Sequence, residues 1–397
     1  MGGRFVAVIL AVVVVSGCSS PSGVASRSPV ASGTGSQSTP SPSPTGTPEV
    51  GSLLVMLGSA GEQQTVSLVD RDGSVVASAT SAIANVEGVP FPGTPFATAS
   101  AGPPGPYGIG GVCCGAILPE VSTTNDRAYF LAGQNDLRYL GVDGSSGHAA
   151  QLPNVIGRSQ AVFAVSPDDK RIAVSVFDWS KKPMKVTIYV EDLAGGHRVV
   201  IFSSTSAYEW PVGWHAGSLV LAVCCVLGGA PNPYAAVDYH VADASTGRRL
   251  AELGSTACQA IGPLVAAGTL CNSVCNGGDV HNPPPGAQVC LNAVDWSGKQ
   301  KVLYRYKDPN GIGTWAAVAP QGGAAALQEN GPPPGQYVMR ADGSRVNLPA
   351  GAGTPVVWWL DPDTLWLAGP LYRLSTGRSI LLPESLGFVQ GVVSSLS

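Results

Sequence analysis

Charged side chains are scarce in this sequence: 12% of its 397 residues are Asp, Glu, Lys or Arg, and the formal net charge is −4. No segment gathers lysine and arginine into the basic surface that phosphate binding requires, so we expect no nucleic-acid partner. The five histidines are scattered, and neither a His-Glu-x-x-His segment nor a zinc-like Cys/His spacing occurs. The sequence therefore predicts no metal site, no catalytic residue set and no cofactor.

Turn-forming residues are abundant. The chain has 51 glycines and 33 prolines, and 44% of its residues are hydrophobic. A large core interrupted by many turns is typical of an all-β protein. Residues 160–204 show the pattern, because four strand-like runs at 161–165, 171–176, 185–190 and 197–202 alternate with turn chemistry.

The same unit recurs along the chain at a spacing of roughly 50 residues. Each copy is a strand, a short Asp/Ser/Gly turn and another strand. The seven turns lie at residues 72–73, 143–147, 192–196, 243–247, 295–298, 342–344 and 375–377. A repeat of this length predicts a radial or linear array of β-units rather than one continuous sheet.

The upstream half of the unit carries a family resemblance. Ser166-Pro167-Asp168-Asp169-Lys170 resembles the Ser-Pro-Asp-Gly-Lys motif of TolB-type, WD40-like β-propellers, and the Ser-Thr-Gly hairpin at residues 241–250 is similar to quinoprotein-type blades. The resemblance implies an all-β propeller, and the hairpin count gives about seven four-stranded blades. A pair of packed sandwiches is the alternative. The resemblance implies no particular activity.

The two ends of the repeat region predict how the ring closes. Residues 53–79 supply only three strands, whereas residues 388–394 form a lone strand with no hairpin after it. The last strand is therefore expected to complete the first blade, which leaves no open edge.

The N-terminus indicates export. Arg4 precedes an apolar run at residues 5–15, which has the length of a signal-peptide core. Val15-Ser16-Gly17-Cys18 resembles the lipobox of bacterial lipoproteins, which implies acylation of Cys18, cleavage before it and attachment to the cell membrane. An ordinary signal peptide or an uncleaved anchor is the alternative.

We therefore divide the chain into three predicted segments: a lipoprotein signal peptide at 1–18, a tether at 19–49 and the propeller at 50–397. Residues 19–49 are rich in Ser, Pro and Thr and have few aliphatic side chains, so we expect a disordered tether.

All the long insertions are predicted to lie on one face of the propeller. In a blade, the loop between strands two and three and the connection to the next blade share one face, here called the long-loop face; the other turns share the opposite, short-turn face. The insertions are residues 81–119, 178–184, 226–233, 276–286 and 328–335. Binding residues concentrate in loops on rigid scaffolds, so these insertions favour a binding face. The alternative is that they have no function, because lengthening a surface loop changes the free energy of folding only slightly. The candidate binding residues are Trp179, Lys181, Lys182, Glu329, and Asp279 and His281 of the segment Asp279-Val280-His281.

Eight cysteines besides Cys18 fall on the same face: Cys113, Cys114, Cys224, Cys225, Cys258, Cys271, Cys275 and Cys290. An even number of cysteines in an exported chain predicts structural disulfides that pin the loops. The adjacent pairs leave vicinal disulfides open, and the four cysteines of the fifth unit allow three pairings that the sequence does not distinguish.

These patterns favour an exported, lipid-anchored, monomeric propeller that binds an envelope protein or a glycan. The alternative is a propeller enzyme, either a glycan hydrolase or lyase or an oxidoreductase, with its site at the axial mouth of the long-loop face. Carboxylates and a histidine around the axis would favour the enzyme, whereas an apolar aromatic lining would favour the binding module.

Overall fold

The computed structural model describes residues 52–85, 112–113, 116–117, 121–223, 238–255, 257–278, 284–306, 316–329, 335–349, 357–367 and 369–394. Within this part of the chain, the strands form seven four-stranded antiparallel sheets. The predicted all-β, seven-bladed propeller is therefore confirmed, and the pair of sandwiches is excluded. No helix in the described ranges is long and apolar enough to cross a membrane.

The first four blades are built from strands in the following ranges. Blade 1 contains β1 (Leu53–Ala60), β2 (Gln63–Val69), β3 (Val75–Ala82) and the C-terminal β30 (Phe388–Val393). A two-stranded hairpin follows it, with β4 (Val112–Cys113) and β5 (Ala116–Ile117). Blade 2 contains β6 (Val121–Thr123), β7 (Arg127–Ala132), β8 (Asp136–Gly141) and β9 (Ser146–Gln151). Blade 3 contains β10 (Ser159–Val165), β11 (Arg171–Asp178), β12 (Lys185–Asp192) and β13 (Val199–Ser204). Blade 4 contains β14 (Glu209–His215), β15 (Ser218–Val223), β16 (Asp238–Ala242) and β17 (Arg249–Glu252).

The last three blades repeat the arrangement. Blade 5 contains β18 (Cys258–Val265), β19 (Gly268–Val274), β20 (Val289–Val294) and β21 (Gln300–Arg305). Blade 6 contains β22 (Ala316–Val318), β23 (Ala324–Glu329), β24 (Gly335–Arg340) and β25 (Arg345–Asn347). Blade 7 contains β26 (Val357–Trp359), β27 (Thr364–Leu367), β28 (Pro370–Arg373) and β29 (Arg378–Leu381). A short 3-10 helix, Glu384–Leu386, precedes β30.

Burial falls from the inner strand of a blade to its outer strand. All seven residues of β10 are buried, whereas β13 is half-buried to exposed along its length. An inner strand contacts neighbouring blades on both of its faces, so nearly all of its residues are apolar. An outer strand borders solvent. This gradient explains why the sequence shows apolar runs in the first half of each unit and mixed residues in the second.

The hydrophobic core lies between the blades. Leu54 and Met56 of blade 1, for example, pack with Trp358 and Trp366 of blade 7. Corresponding clusters join blades 1 and 2, 2 and 3, 3 and 4, 5 and 6, and 6 and 7, and one cluster continues through blades 3, 4 and 5. A single blade cannot cover its own apolar faces, so each blade is stable only between its neighbours.

The short turns repeat one hydrogen-bond pattern. In five of the seven, an aspartate accepts backbone N–H bonds from residues two to four positions later, which closes the turn. Asp70 accepts from Asp72 and Ser74, each at 2.9 Å. The corresponding aspartates elsewhere are Asp143, Asp243, Asp295 and Asp342. The repeat seen in the sequence is therefore a repeat of turn chemistry.

The turn of blade 3 is longer than predicted. The apolar pattern predicts a strand over residues 197–202, but β13 covers Val199–Ser204. His197 has a positive φ of 48°, and its Nδ1 lies 2.5 Å from Oδ2 of Asp192. This contact holds His197 in the turn, so the strand starts two residues later.

Side chains also join neighbouring inner strands. The indole N–H of Trp214 in β14 donates to the carbonyl of Ala164 in β10 at 3.0 Å. Trp359 in β26 does the same to Ala317 in β22 at 2.8 Å. These bonds fix the position of one blade relative to the next at the axis.

The ring is closed by the last strand. β30 pairs antiparallel with β1, from Leu53 opposite Val393 to Leu57 opposite Phe388. Arg373 of blade 7 also forms an ion pair with Asp72 of blade 1. The predicted closure of blade 1 by the C-terminal strand is therefore confirmed.

We expect truncation after Gly387, which removes β30, to destabilise the whole propeller. The truncation exposes the β1 edge and two apolar blade faces at once. At about 25 cal/mol per Å² of apolar surface, the expected loss is at least about 5 kcal/mol in the free energy of unfolding, comparable to the net stability of a domain. Urea denaturation measures it. Truncation after Ser394 is the matched control, because it keeps β30; equal stability of the two truncated chains would contradict closure by β30.

Candidate functional site

A pocket opens at the propeller axis on the short-turn face. It is lined by the last residues of the inner strands and the first residues of the turns that follow, among them Pro167, His215, Ala266, Pro320 and Leu360. The space between the lining side chains is about 1240 Å³, part of which is open solvent. We call it the axial pocket. Its position on the short-turn face is not that of the predicted long-loop site.

Aromatic side chains line the axial pocket on blade 4 and on the short turn of blade 5, and also on blades 3 and 7 through Phe163, Trp358 and Trp359. His215, at the end of β14, stacks on Trp296 in the short turn of blade 5, with ring centroids 4.1 Å apart and planes 8° apart. The indole N–H of Trp296 donates to the carbonyl of Ala266 at 2.8 Å, which fixes the ring. Trp214 also lines the pocket, with the Arg171 guanidinium 4.8 Å from its ring. We call His215, Trp214 and Trp296 the aromatic wall.

Uncharged polar side chains lie on blades 1 and 2. Gln390 of β30 and Ser122 and Thr123 of β6 line the pocket. The Nε2 atom of Gln390 is buried and has no hydrogen-bond partner in the described part of the chain. The Ser122 hydroxyl accepts a bond of 2.8 Å from the Val165 N–H, which leaves its own proton to donate. We call these three side chains the polar wall.

The described lining carries no Asp, Glu, Lys or Arg. Its one histidine, His215, is half-buried, and this burial lowers its pKa below the ordinary value of 6.5. The imidazole is therefore neutral at neutral pH. An uncharged, partly aromatic pocket is suited to binding, because it can desolvate a neutral ligand without leaving a charge unpaired.

A second polar cluster lies at the long-loop end of blade 4. Glu209, the first residue of β14, has its Oε2 atom 3.6 Å from Nε2 of His240 and its Oε1 atom 3.4 Å from Nη2 of Arg249. Arg249 also pairs with Glu252 at 3.0 Å. Burial raises the pKa of Glu209, an effect that Arg249 reduces. His240 is 1% exposed, so it cannot contact a substrate without movement of the blades.

Three of the predicted binding residues lie together in the loop that follows β11. Lys181 and Lys182 are exposed, while Trp179 is half-buried against the core cluster that includes Met184. The segment Asp279-Val280-His281 lies outside the described residues, as does the side chain of Glu329. The binding role of this face remains a prediction.

The cysteines of blade 5 form two disulfides, Cys258–Cys271 and Cys275–Cys290. The first joins β18 to β19, and the second joins the end of β19 to β20, so it brackets the predicted loop at 276–286. Loop pinning is thus observed for this blade. Cys18, Cys114, Cys224, Cys225 and the side chain of Cys113 lie outside the described residues. Among the described residues, no group of three or more Cys, His, Asp or Glu could hold a metal ion.

The sequence reasoning missed the axial pocket. Trp296 stands in a repeated short turn where most other copies of the unit have small or polar residues, whereas Trp214 and His215 end the inner strand of blade 4, and the inner strand of blade 7 ends in Trp358 and Trp359. Aromatic residues at positions that the repeat directs to the axis were the available signal. Gln390 gave no such signal, because it lies in a strand with no other copy in sequence.

Comparison with known proteins gives fold-level similarity only. No protein-family model and no curated protein matches the sequence. An oligogalacturonate lyase from Vibrio parahaemolyticus matches with a TM-score of 0.43 and 10% identity over 62% of this chain and 73% of the lyase. Pyrococcus horikoshii acylaminoacyl peptidase matches with a TM-score of 0.44 and 12% identity over 83% of this chain and 52% of the peptidase. The β-propeller domain of the Trilobed protease from Pyrococcus furiosus matches with a TM-score of 0.39 and 10% identity over 83% of this chain and 98% of that domain.

We expect the two disulfides to be reduced in order. Cys275 is half-buried, whereas Cys258 and Cys271 are 2% and 0% exposed, so a soluble reductant reaches Cys275–Cys290 first. Graded reduction of the native protein, alkylation and mass mapping measure the order. Labelling of Cys258 and Cys271 before Cys275 and Cys290 would contradict it.

His240 should make the fold less stable in mild acid. Burial, together with the Arg249 guanidinium, lowers its pKa to about 4 from the ordinary 6.5. Between these two values the unfolded chain binds more protons, so the free energy of unfolding falls as the pH drops and levels off below about pH 4. The raised pKa of Glu209 acts in the opposite direction.

His240→Gln tests this pH dependence, because it removes the histidine and keeps Glu209. On going from neutral pH to about pH 4, the parent should lose about 2–4 kcal/mol more than the variant. Urea denaturation of both proteins across this range is the measurement. Equal losses would show that His240 does not carry the effect.

Proposed function

We propose that this protein is a binding module of the bacterial cell envelope and that its ligand enters the axial pocket. The observation that carries the proposal is the aromatic, uncharged lining described above. An apolar aromatic lining at the axis is the feature that favours a binding module over an enzyme, although the sequence predicts the site on the long-loop face.

The construction of the pocket supports tight positioning of a ligand. Most of its side chains stand on the inner strands, which are the most buried strands, and the Trp214 and Trp296 indoles are already hydrogen-bonded to backbone carbonyls. Side chains held in place before binding lose little entropy when a ligand arrives. Apolar surface covered by the ligand then contributes about 25 cal/mol per Å².

Enzymatic function is the weaker candidate. General acid–base chemistry needs titratable groups within hydrogen-bond reach of a substrate. His215 is the one such group in the described lining of the axial pocket. The Glu209–His240 pair has the residue types for this chemistry, but its histidine is 1% exposed and does not reach solvent.

We further propose that Cys18 attaches the protein to the cell membrane through a lipid. The support is the Val15-Ser16-Gly17-Cys18 segment after an apolar run, followed by residues 19–49 of tether composition. Under this proposal the propeller meets its ligand at the outer surface of the membrane. The ligand is then a component of the envelope.

Site-specific photo-crosslinking in the producing bacterium tests which face binds. Benzoylphenylalanine is placed at Leu264, which lines the axial pocket, or at Trp179, which lies on the long-loop face. We expect adducts from position 264 and their loss when Trp296→Ala is added. Adducts from position 179 alone would place binding on the long-loop face.

The lipid anchor is tested separately. Cys18→Ala in the same strain should move the protein to the soluble fraction; continued membrane attachment would contradict lipidation.

A further inference from the structure

We infer that the ligand of the axial pocket is a neutral saccharide, bound through one pyranose unit with its apolar face on the aromatic wall and its hydroxyls on the polar wall. This inference rests on the proposed function, because it names the ligand of the same pocket. It follows from the charge, the arrangement and the hydrogen-bonding capacity of the lining.

The lining selects against charge. Within the described residues it has no carboxylate, ammonium or guanidinium group. A uronate, an amino sugar or a phosphate that entered would lose hydration with no opposite charge to replace it, and an unpaired buried charge is costly. The lining therefore favours a ligand with no net charge.

The two walls face each other across the axis. The polar wall belongs to β30 and β6 of blades 1 and 2, and the aromatic wall to β14 and the turn of blade 5. In a ring of seven, blades 4 and 5 stand opposite blades 1 and 2. A ligand that fills the pocket therefore touches the aromatic wall on blades 4 and 5 and hydrogen-bonding groups on blades 1 and 2, and the aromatic residues Phe163, Trp358 and Trp359 border the polar wall.

A pyranose ring has this division of surface. One face presents C–H groups that pack on an aromatic ring, while the ring edge carries hydroxyls that both donate and accept hydrogen bonds. The polar wall offers matching groups, since an amide and two hydroxyls can each donate and accept. The buried Nε2 of Gln390, which has no partner among the described residues, would gain one from a sugar hydroxyl.

A hydrocarbon ligand without hydrogen-bonding groups is the main rival. It would cover the aromatic wall equally well but would leave the polar wall unsatisfied, and buried polar groups without partners weaken binding. A sugar can stack on the aromatic wall and hydrogen-bond to the polar wall. If variants in both walls weaken binding, the ligand is a sugar and not the rival.

The test is a titration of the purified full chain with neutral and charged sugars, in which tryptophan fluorescence and calorimetry measure binding. The neutral probes are glucose, galactose, mannose, arabinose and N-acetylglucosamine, each as the monosaccharide and as a short oligosaccharide at millimolar concentration. Galacturonate and glucosamine are the charged probes. We expect at least one neutral sugar to bind and the charged probes to bind at least about tenfold more weakly.

Variants of each wall separate the saccharide from the rival. Trp296→Ala removes the stacking face and Gln390→Met removes the amide at nearly constant volume; each should weaken sugar binding about tenfold or more. Trp296→Phe keeps an aromatic face and should retain most of the affinity. Gln151→Met, on the exposed end of β9, is the matched control and should bind like the parent.

The outcomes distinguish this inference from the proposed function. If no neutral sugar binds while position 264 still crosslinks to an envelope protein in a Trp296-dependent manner, the saccharide is wrong and the binding module stands. Stronger binding of a charged probe, or sugar binding unaffected by Gln390→Met, also overturns the saccharide. If neither sugars nor crosslinks are found, both proposals fall.

Discussion

The pairing of β30 with β1 is the constraint on which the rest of this propeller depends. Each blade buries its apolar faces only against its neighbours, so an open ring would leave the faces of blades 1 and 7 exposed. Closure by the C-terminal strand brings all seven inner strands around one axis. The axial pocket exists because of that convergence, and Gln390, which completes its polar wall, is supplied by the closing strand itself.

The fold could be predicted from the sequence because its signals are local. The Asp-based turns repeat in sequence because each aspartate bonds to backbone groups only a few residues away. The missing inner strand of residues 53–79 and the lone strand at 388–394 left a single way to close the ring. The error in blade 3 was also local, since the contact of His197 with Asp192 extends a turn that the apolar pattern placed two residues shorter.

The axial pocket could not be predicted in the same way, because its residues are far apart in sequence. The lining residues come from all seven blades, and the stacked pair joins His215, at the end of the inner strand of blade 4, to Trp296 in the short turn of blade 5. Loop length drew attention to the long-loop face, and the function of that face remains a prediction. Loop length carries no information about the side chains at the ends of the inner strands, because those side chains are held in place by the blades and not by long loops.

The disulfides of blade 5 affect how this region withstands cleavage. Cys275 and Cys290 stand on either side of a loop whose described ends, residues 276–278 and 284–286, are exposed. A protease that cut the chain within this loop would produce two polypeptides still joined by that bond, with β19 and β20 still paired. A cut at either exposed end of this loop therefore releases no fragment, so the ring keeps all of its blades.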